Sequence, residues 1–537
     1  MKYIFLLISL FTFNFLQAQV TGVVKDAAGE PIPGANVFWM NTTNGVTTNE
    51  DGNFSIHKPA RSHMLVVSFI GFENDTIHVD KGNQQLDIVL REGVELSEVN
   101  VVTRKLGTMK LRTSVMNEDM ISSAELTRAA CCNLGESFVT NPSVDVSYSD
   151  AATGAKQIKL LGLSGTYVQM MTENIPNFRG AAAPYGLGYV PGPWMQSIQV
   201  SKGSSSVKNG YESITGQINV EFKKPQLPEA DWVSANLFAS STNRYEANAD
   251  ATVKLSKRWS TSLLAHYENE TKSHDSNDDG FVDIPRVEQY NVWNRWAYMG
   301  DHYVFQAGIK ALHETRNSGQ IAHGNTPSHD LYEIGIKTNR YEAFTKNAYI
   351  FDKEKNTNLA LILQGTLHNQ DANYGRKLYD VDQSNFYASL LFETELSKQH
   401  SLSAGLSFNY DGYDQNYRLT NQAEEGLTKK FVKESVPGAY VQYTFNLNDQ
   451  LMLMGGIRGD YSSEYGFFVT PRAHVKYNPN EYLHFRLSAG KGYRTNHVLA
   501  ENNYLLASSR KMKIASHLDQ EEAWNYGASV STYIPLF

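Results

Sequence analysis

Residues 245–255 read YEANADATVKL, residues 439–447 AYVQYTFNL and residues 483–489 LHFRLSA. In each stretch apolar and polar side chains alternate strictly. Tyr245, Ala247, Ala249, Ala251, Val253 and Leu255 fall on one face, and Glu246, Asn248, Asp250, Thr252 and Lys254 on the other. A period of two is that of a β-strand, whose successive side chains point to opposite faces. Strands of about ten residues, apolar outside and polar inside, are the pattern of a transmembrane β-barrel with a wet interior. The connections agree. Short turns at Lys257-Arg258, Asp301-His302, Lys398-Gln399 and Asp449-Gln450 alternate with long polar loops at 272–290 and 316–340. A soluble sandwich explains two-faced strands but not this asymmetry.

Composition bounds the alternatives. The chain has 537 residues, with Lys plus Arg 48 against Asp plus Glu 56, a net charge of −8. A nucleic-acid footprint is basic and patchy, so this balance argues against one. Aromatics reach 12 %, as strands and membrane-interface girdles require. Mean hydropathy is −0.41, and beyond the first residues no apolar run reaches the roughly 18 of a spanning helix. Residues 1–18 differ: Lys2 precedes an apolar run from Tyr3 to Leu16, and Gln17-Ala18 offers a small-residue cleavage site. This reads as a secretory signal peptide. The two cysteines, Cys131 and Cys132, are too few for a disulfide framework. We find no Gly-x-Ser-x-Gly, His-Glu-x-x-His or phosphate loop, and the chain is not read as an enzyme.

Residues 19–93 carry short alternating runs at Val20–Val24, Gly34–Trp39, Asn53–Ile56, Leu65–Ile70 and Leu86–Leu90, split by turn residues such as Asn49-Glu50-Asp51-Gly52. Their spacing predicts a small β-sandwich. The strings GVVKDAAGEPIPGANVFW, TTNEDGNFSI and LVVSFIGFEND resemble the carboxypeptidase-regulatory-like domain. In residues 104–224, KLLGLSGTYVQMMTENIP (Lys159–Pro176) and SIQVSKGSSSVKNGYESITGQINVEFKKP (Ser197–Pro225) resemble the plug of TonB-dependent outer-membrane receptors of the Bacteroidota type. RLSAGKGYR (Arg486–Arg494) resembles a barrel strand of the same family. The usual Arg-Gly and Asp-Gly of that plug are Leu161-Gly162 and Glu173-Asn174 here. The expected fold is therefore mostly β: an N-terminal β-sandwich, an α+β plug, and a partial antiparallel transmembrane β-barrel over 225–537. We count about 14 strands, where plugged barrels close with about 22. With Pro535 in the last strand, the chain is expected to be C-terminally truncated.

The resemblance implies TonB-dependent import of a scarce ligand, a metal chelate, cobalamin or metal ion, across the outer membrane, with the N-terminal domain in the periplasm. A glycan or peptide importer, or a non-transporting signalling or adhesion receptor, is the alternative. The implied partners are the TonB–ExbB–ExbD energising complex, outer-membrane lipid and the ligand. Within the linker 94–103, Glu98, Val99, Asn100, Val101 and Val102 resemble a Ton box, an extended segment able to add to a partner's sheet edge. The loop 177–194 faces the external ligand in the family, making Arg179, Tyr185 and Tyr189 candidate contacts. Asp275, Asn277, Asp279 and Asp283 alternate like the start of a calcium loop, without its distal Glu; no cofactor is otherwise expected. Cys131 and Cys132 are candidate soft-metal ligands.

Overall fold

The computed structural model describes residues 19–90, 108–225 and 232–532, apart from 27–28, 41–44, 50, 59–62, 70–74, 80–84, 111–113, 130–131, 140, 322–330, 422–425, 449, 481 and 516. The expected signal peptide, the segment Glu98–Val102, Cys131 and Pro535 lie outside the described residues. The chain divides into two compact units, Met1–Arg104 and Lys105–Phe537.

In the first unit, β1 (Gln19–Lys25), β2 (Asn36–Trp39), β3 (Gly45–Thr47), β4 (Asn53–His57), β5 (Met64–Ser68), β6 (Asp75–His78) and β7 (Gln85–Val89) form two sheets. Their orders are β4-β1-β7 and β3-β2-β5-β6. Inward apolar residues, among them Val20, Val37, Trp39, Ile56, Leu65 and Ile88, make one core. Asn49 shapes the expected turn: its side-chain oxygen accepts from the Asn53 N–H at 2.8 Å, and Gly52 takes φ +72°. The unit is the expected sandwich, with β3 and β6 added; both are too short and polar to stand out in the sequence.

In the second unit the plug comes first. Its strands are β8 (Thr108–Lys110), β9 (Asn117–Ser122), β10 (Val144–Asp150), β11 (Ala155–Leu160), β12 (Leu163–Ser164), β13 (Val168–Thr172), β14 (Ile175–Pro176), β15 (Met195–Lys202) and β16 (Gly216–Phe222). Six of them order as β14-β13-β16-β15-β9-β8, with β13 parallel to β16, and β10-β11-β12 form a second sheet. Among the described residues of the plug, helix is confined to Ser123–Arg128, capped by the Ser122 side chain, and to short 3₁₀ turns. All seven residues of β16 are buried, as befits a strand with sheet on either side and the barrel around it.

The barrel follows: β17 (Trp232–Ala239), β18 (Arg244–Lys254), β19 (Trp259–Glu270), β20 (Arg286–Met299), β21 (Tyr303–Gly319), β22 (Glu333–Asp352), β23 (Thr357–Tyr374), β24 (Lys377–Ser397), β25 (His400–Arg418), β26 (Thr428–Leu447), β27 (Leu451–Ser462), β28 (Gly466–Asn480), β29 (Leu483–Arg494) and β30 (Glu521–Thr532). They form one 14-stranded antiparallel sheet in chain order, matching the strand count read from the sequence. Inward Glu246, Asn248, Asp250 and Thr252 are buried, while outward Tyr245 and Val253 are exposed. Exposed Ile309, Leu361, Leu406 and Ile457 form an outer apolar band, flanked toward the tight turns by Trp259, Tyr303, Tyr349 and Tyr477.

Two expectations change. The interior read as wet is lined by polar side chains buried against the plug. The long loops are shorter than expected, 271–285 and 320–332, because β20, β21 and β22 run on past the apolar band. Outward residues there are polar, such as Lys337 and Asn339, so the apolar half of the alternation stops while the backbone ladder continues.

Gly216 opens β16 at φ +155°, where a Cβ would strike the Ser201 carbonyl oxygen and the Leu160 side chain. Gly216→Ala is expected to destabilise the plug by roughly 2 kcal/mol or more. Limited proteolysis in outer-membrane vesicles should then cut within 108–225 faster than in the parent, with the barrel intact.

Candidate functional site

The Glu173-Asn174 turn, left-handed at both residues (φ +51° and +61°), enters the barrel wall. Arg295 of β20 donates to the Glu173 carboxylate at 2.5 Å and to the Lys223 carbonyl at 2.7 Å. Lys346 of β22 donates to the Glu173 carbonyl at 2.8 Å. Arg295 and Glu173 side chains are each 2 % exposed, so neither charge has water to fall back on. Beside them Glu221 of β16 is pushed up to about 7, first by burial and then by Glu173. This cluster seats the plug.

At the other end of the plug lies a cavity of about 120 Å³. The plug supplies Arg179, Glu212, Lys156 and Gln169; the barrel wall supplies Asp411, Glu434 and Arg494; the connection 495–520 supplies Thr495, His497 and Glu501. Arg179 is placed by its backbone, whose carbonyl accepts from Gln383 of β24 at 3.2 Å. Gly180 next to it sits at φ +58° against Tyr413, where a side chain has no room. The Arg179 guanidinium pairs with Glu212 at 2.6 Å and with Asp411 at 3.5 Å. Burial lifts the Glu212 carboxyl above its usual range despite Arg179.

The connection 495–520 does not stand out in water. It folds inward as a strap across the plug. Asn503 accepts from the hydroxyls of Tyr374 at 2.9 Å and Tyr185 at 3.2 Å. Lys377, at the start of β24, donates to the carbonyls of Leu506, Ser508 and Arg510 at 3.2, 2.5 and 3.1 Å. Tyr332 donates to the Ala507 carbonyl at 2.9 Å. Arg494 closes the strap's near end on Glu501. Burial pushes the Glu501 carboxyl up to about 7 and the His497 imidazole down to about 4.

The residues singled out from the sequence fall in different places. Arg179 lines the cavity. Tyr185 and Tyr189 are buried between plug and barrel: Tyr185 under the Arg316 guanidinium, 5.0 Å from its ring centre, and Tyr189 beside His368. Asp275, Asn277, Asp279 and Asp283 share the connection 271–285, with their oxygens turned to its own backbone. Asp275 accepts from Gly280 N–H at 2.9 Å, Asp279 from Phe281 at 2.9 Å and Asp283 from Ser276 at 2.8 Å. Among the described residues no three His, Cys, Asp or Glu side chains are gathered to hold a metal. Cys132 is buried in the plug, and burial with the Glu246 carboxylate raises its thiol, keeping it protonated near neutrality. The sequence did not single out Glu212, Asp411, Glu434 or Glu501. Asp411 and Glu434 are each one more inward polar residue on an alternating strand, and only the position of Glu212 inside the plug block was a usable signal.

Three family models match the chain: CarboxypepD_reg-like domain over 20–102, TonB-dependent Receptor Plug Domain over 110–217, and TonB dependent receptor-like, beta-barrel over 199–534. The chain belongs to the TonB-dependent receptor family. That family is one of transporters and receptors, not an enzyme class. The TonB-dependent receptor SusC of Bacteroides thetaiotaomicron is 28 % identical over 245 residues, 43 % of this chain and 24 % of SusC. The TonB-dependent receptor P39 of Formosa agariphila is 39 % identical over 100 residues, 18 % of this chain and 10 % of P39. The chain thus matches about a quarter or less of the length of these curated relatives. Among solved structures, FpvA of P. aeruginosa bound to a pyoverdine–iron complex superposes with TM-score 0.62 at 14 % identity, covering 83 % of this chain and 66 % of FpvA. The copper transporter OprC superposes with TM-score 0.58 at 12 % identity, covering 72 % and 64 %. At such identities these likenesses establish the fold alone.

In this receptor three carbonyls in the strap's far half are held by one ammonium, that of Lys377, beside the Tyr332 hydroxyl on Ala507. Lys377→Met is expected to loosen residues 506–510. Hydrogen exchange of their amides should quicken at least about ten-fold, while the β22–β26 ladder keeps its protection.

Proposed function

We propose that the chain imports a scarce ligand across the outer membrane, using energy delivered through TonB. The observation that carries this reading is the shared cavity wall. A ligand at the apex touches the plug, the barrel and the strap together, the parts that must shift for a path to open. The outward apolar band with aromatic flanks supports a seat in the outer membrane, with the N-terminal sandwich in the periplasm. Glu98–Val102 is the segment that the TonB–ExbB–ExbD complex grips, by strand addition. The cargo class is a metal chelate, cobalamin or a metal ion. A siderophore receptor, PirA of Acinetobacter baumannii, and the copper transporter OprC among the fold neighbours are compatible with it.

Deleting Glu98–Val102 is expected to abolish energy-dependent uptake while surface binding persists; unchanged uptake would overturn the TonB contact. Cell-associated copper, iron and cobalt, measured by elemental mass spectrometry in a gene-deletion strain under metal limitation, should show a selective fall in one element. No fall in any of them would overturn the metal class and favour an organic nutrient.

A further inference from the structure

We propose that the apex cavity selects a ligand that presents a positive charge, an ammonium or guanidinium group, to Glu434. The inference rests on the import reading and adds the chemistry of the cargo. Four carboxylates line the cavity, those of Glu212, Asp411, Glu434 and Glu501, against three cations, Lys156, Arg179 and Arg494. Both guanidiniums are already engaged. Arg179 holds Glu212 and Asp411. Arg494 holds Glu501 and, at 3.2 Å, Glu521 of β30, outside the lining. The Lys156 ammonium stands over the Tyr148 ring, 5.2 Å from its centre. His497 lies against the Tyr413 ring at 4.4 Å and brings no charge at neutral pH.

Glu434 is the group left over. It is 4 % exposed. One of its oxygens accepts from the hydroxyls of Ser462 at 2.5 Å and Thr495 at 3.2 Å, and the other takes no hydrogen bond from the described residues. No lysine or arginine among the described residues lies within ion-pair distance of it. A buried carboxylate held only by neutral donors keeps most of its desolvation cost. An entering cation removes that cost. An entering anion meets Glu434 with Glu212, Asp411 and Glu501 around it, and with both arginines taken only the Lys156 ammonium, over the Tyr148 ring, is left to receive it. The Glu501 carboxyl, raised to about 7, fits a cavity with surplus negative charge. Cation binding favours its ionised form, so affinity should climb as pH rises through that value.

The test uses the full chain in detergent with three small probes of similar length: agmatine, glutarate and 1,5-pentanediol. Dissociation constants come from saturation-transfer NMR. Agmatine is expected to bind more tightly than the diol, glutarate least, and agmatine affinity should rise between about pH 6 and about pH 8. Glu434→Gln keeps an oxygen for Ser462 and Thr495 but removes the charge. It should weaken agmatine roughly ten-fold or more, leave the diol unchanged, and be rescued in part by Glu434→Asp. Glutarate binding as tightly as agmatine, or agmatine binding unchanged in Glu434→Gln, overturns the proposal. If Glu434→Gln fails to fold, the probe series and pH series on the parent chain decide it. The import reading is judged separately, by uptake after deletion of Glu98–Val102, and stands or falls whatever the charge of the cargo.

Discussion

A barrel strand faces lipid on one side and the plug on the other, so its inward polar groups find partners in the plug or, like Arg458 with Asp460, on the barrel itself. That constraint organises the second unit. Asn291 and Lys310 donate to the Tyr189 carbonyl at 3.0 and 3.2 Å, Gln289 donates to the Gly188 carbonyl at 3.2 Å, and Arg295 takes the Lys223 carbonyl and the Glu173 carboxylate. The plug segment 177–194 has only short 3₁₀ turns for regular structure; these and neighbouring plug backbone pair many of its carbonyls, while those of Gly188 and Tyr189 are left to the barrel. The barrel supplies the donors. At these points plug and barrel complete each other's hydrogen bonding.

The same dependence explains where the plug is strained. Leu161, Glu173, Asn174 and Phe178 all take positive φ, a conformation that side chains resist. Where the resemblance implies Asp-Gly at the second of these turns, this chain has Glu173-Asn174. Here Glu173 holds the turn instead by its own ion pair to Arg295, so the local cost is offset by a contact in the wall.

Much of the architecture was legible in the sequence. The barrel alternation at 245–255, 439–447 and 483–489 assigned faces correctly residue by residue, because lipid enforces a period of two. The plug turns at Gly203 and Gly210 were marked by their glycines, which take φ +83° and +106°. What stayed hidden depends on contacts between distant segments. Tyr185 and Tyr189 sit in a loop that reads as open but is buried by the strap and the barrel wall. Glu434 and Asp411 acquire meaning only when β25, β26 and the plug turn at Glu212 converge, and one chain read linearly carries no record of that convergence. The strap after RLSAGKGYR was not singled out in the sequence, since its fastening is supplied by Lys377 and Tyr332 from elsewhere.

That fastening recognises backbone. Lys377 and Tyr332 take hold of the carbonyls of Leu506, Ala507, Ser508 and Arg510, which every amino acid possesses. The exposed side chains of Leu505, Ser508, Ser509 and Arg510 can change without loosening the hold, while Leu506 stays buried in the core. A clasp indifferent to the identity of what it clasps leaves the covering segment free to drift, so the lineage could retune what it admits by rewriting the strap while the barrel beneath stays as it is.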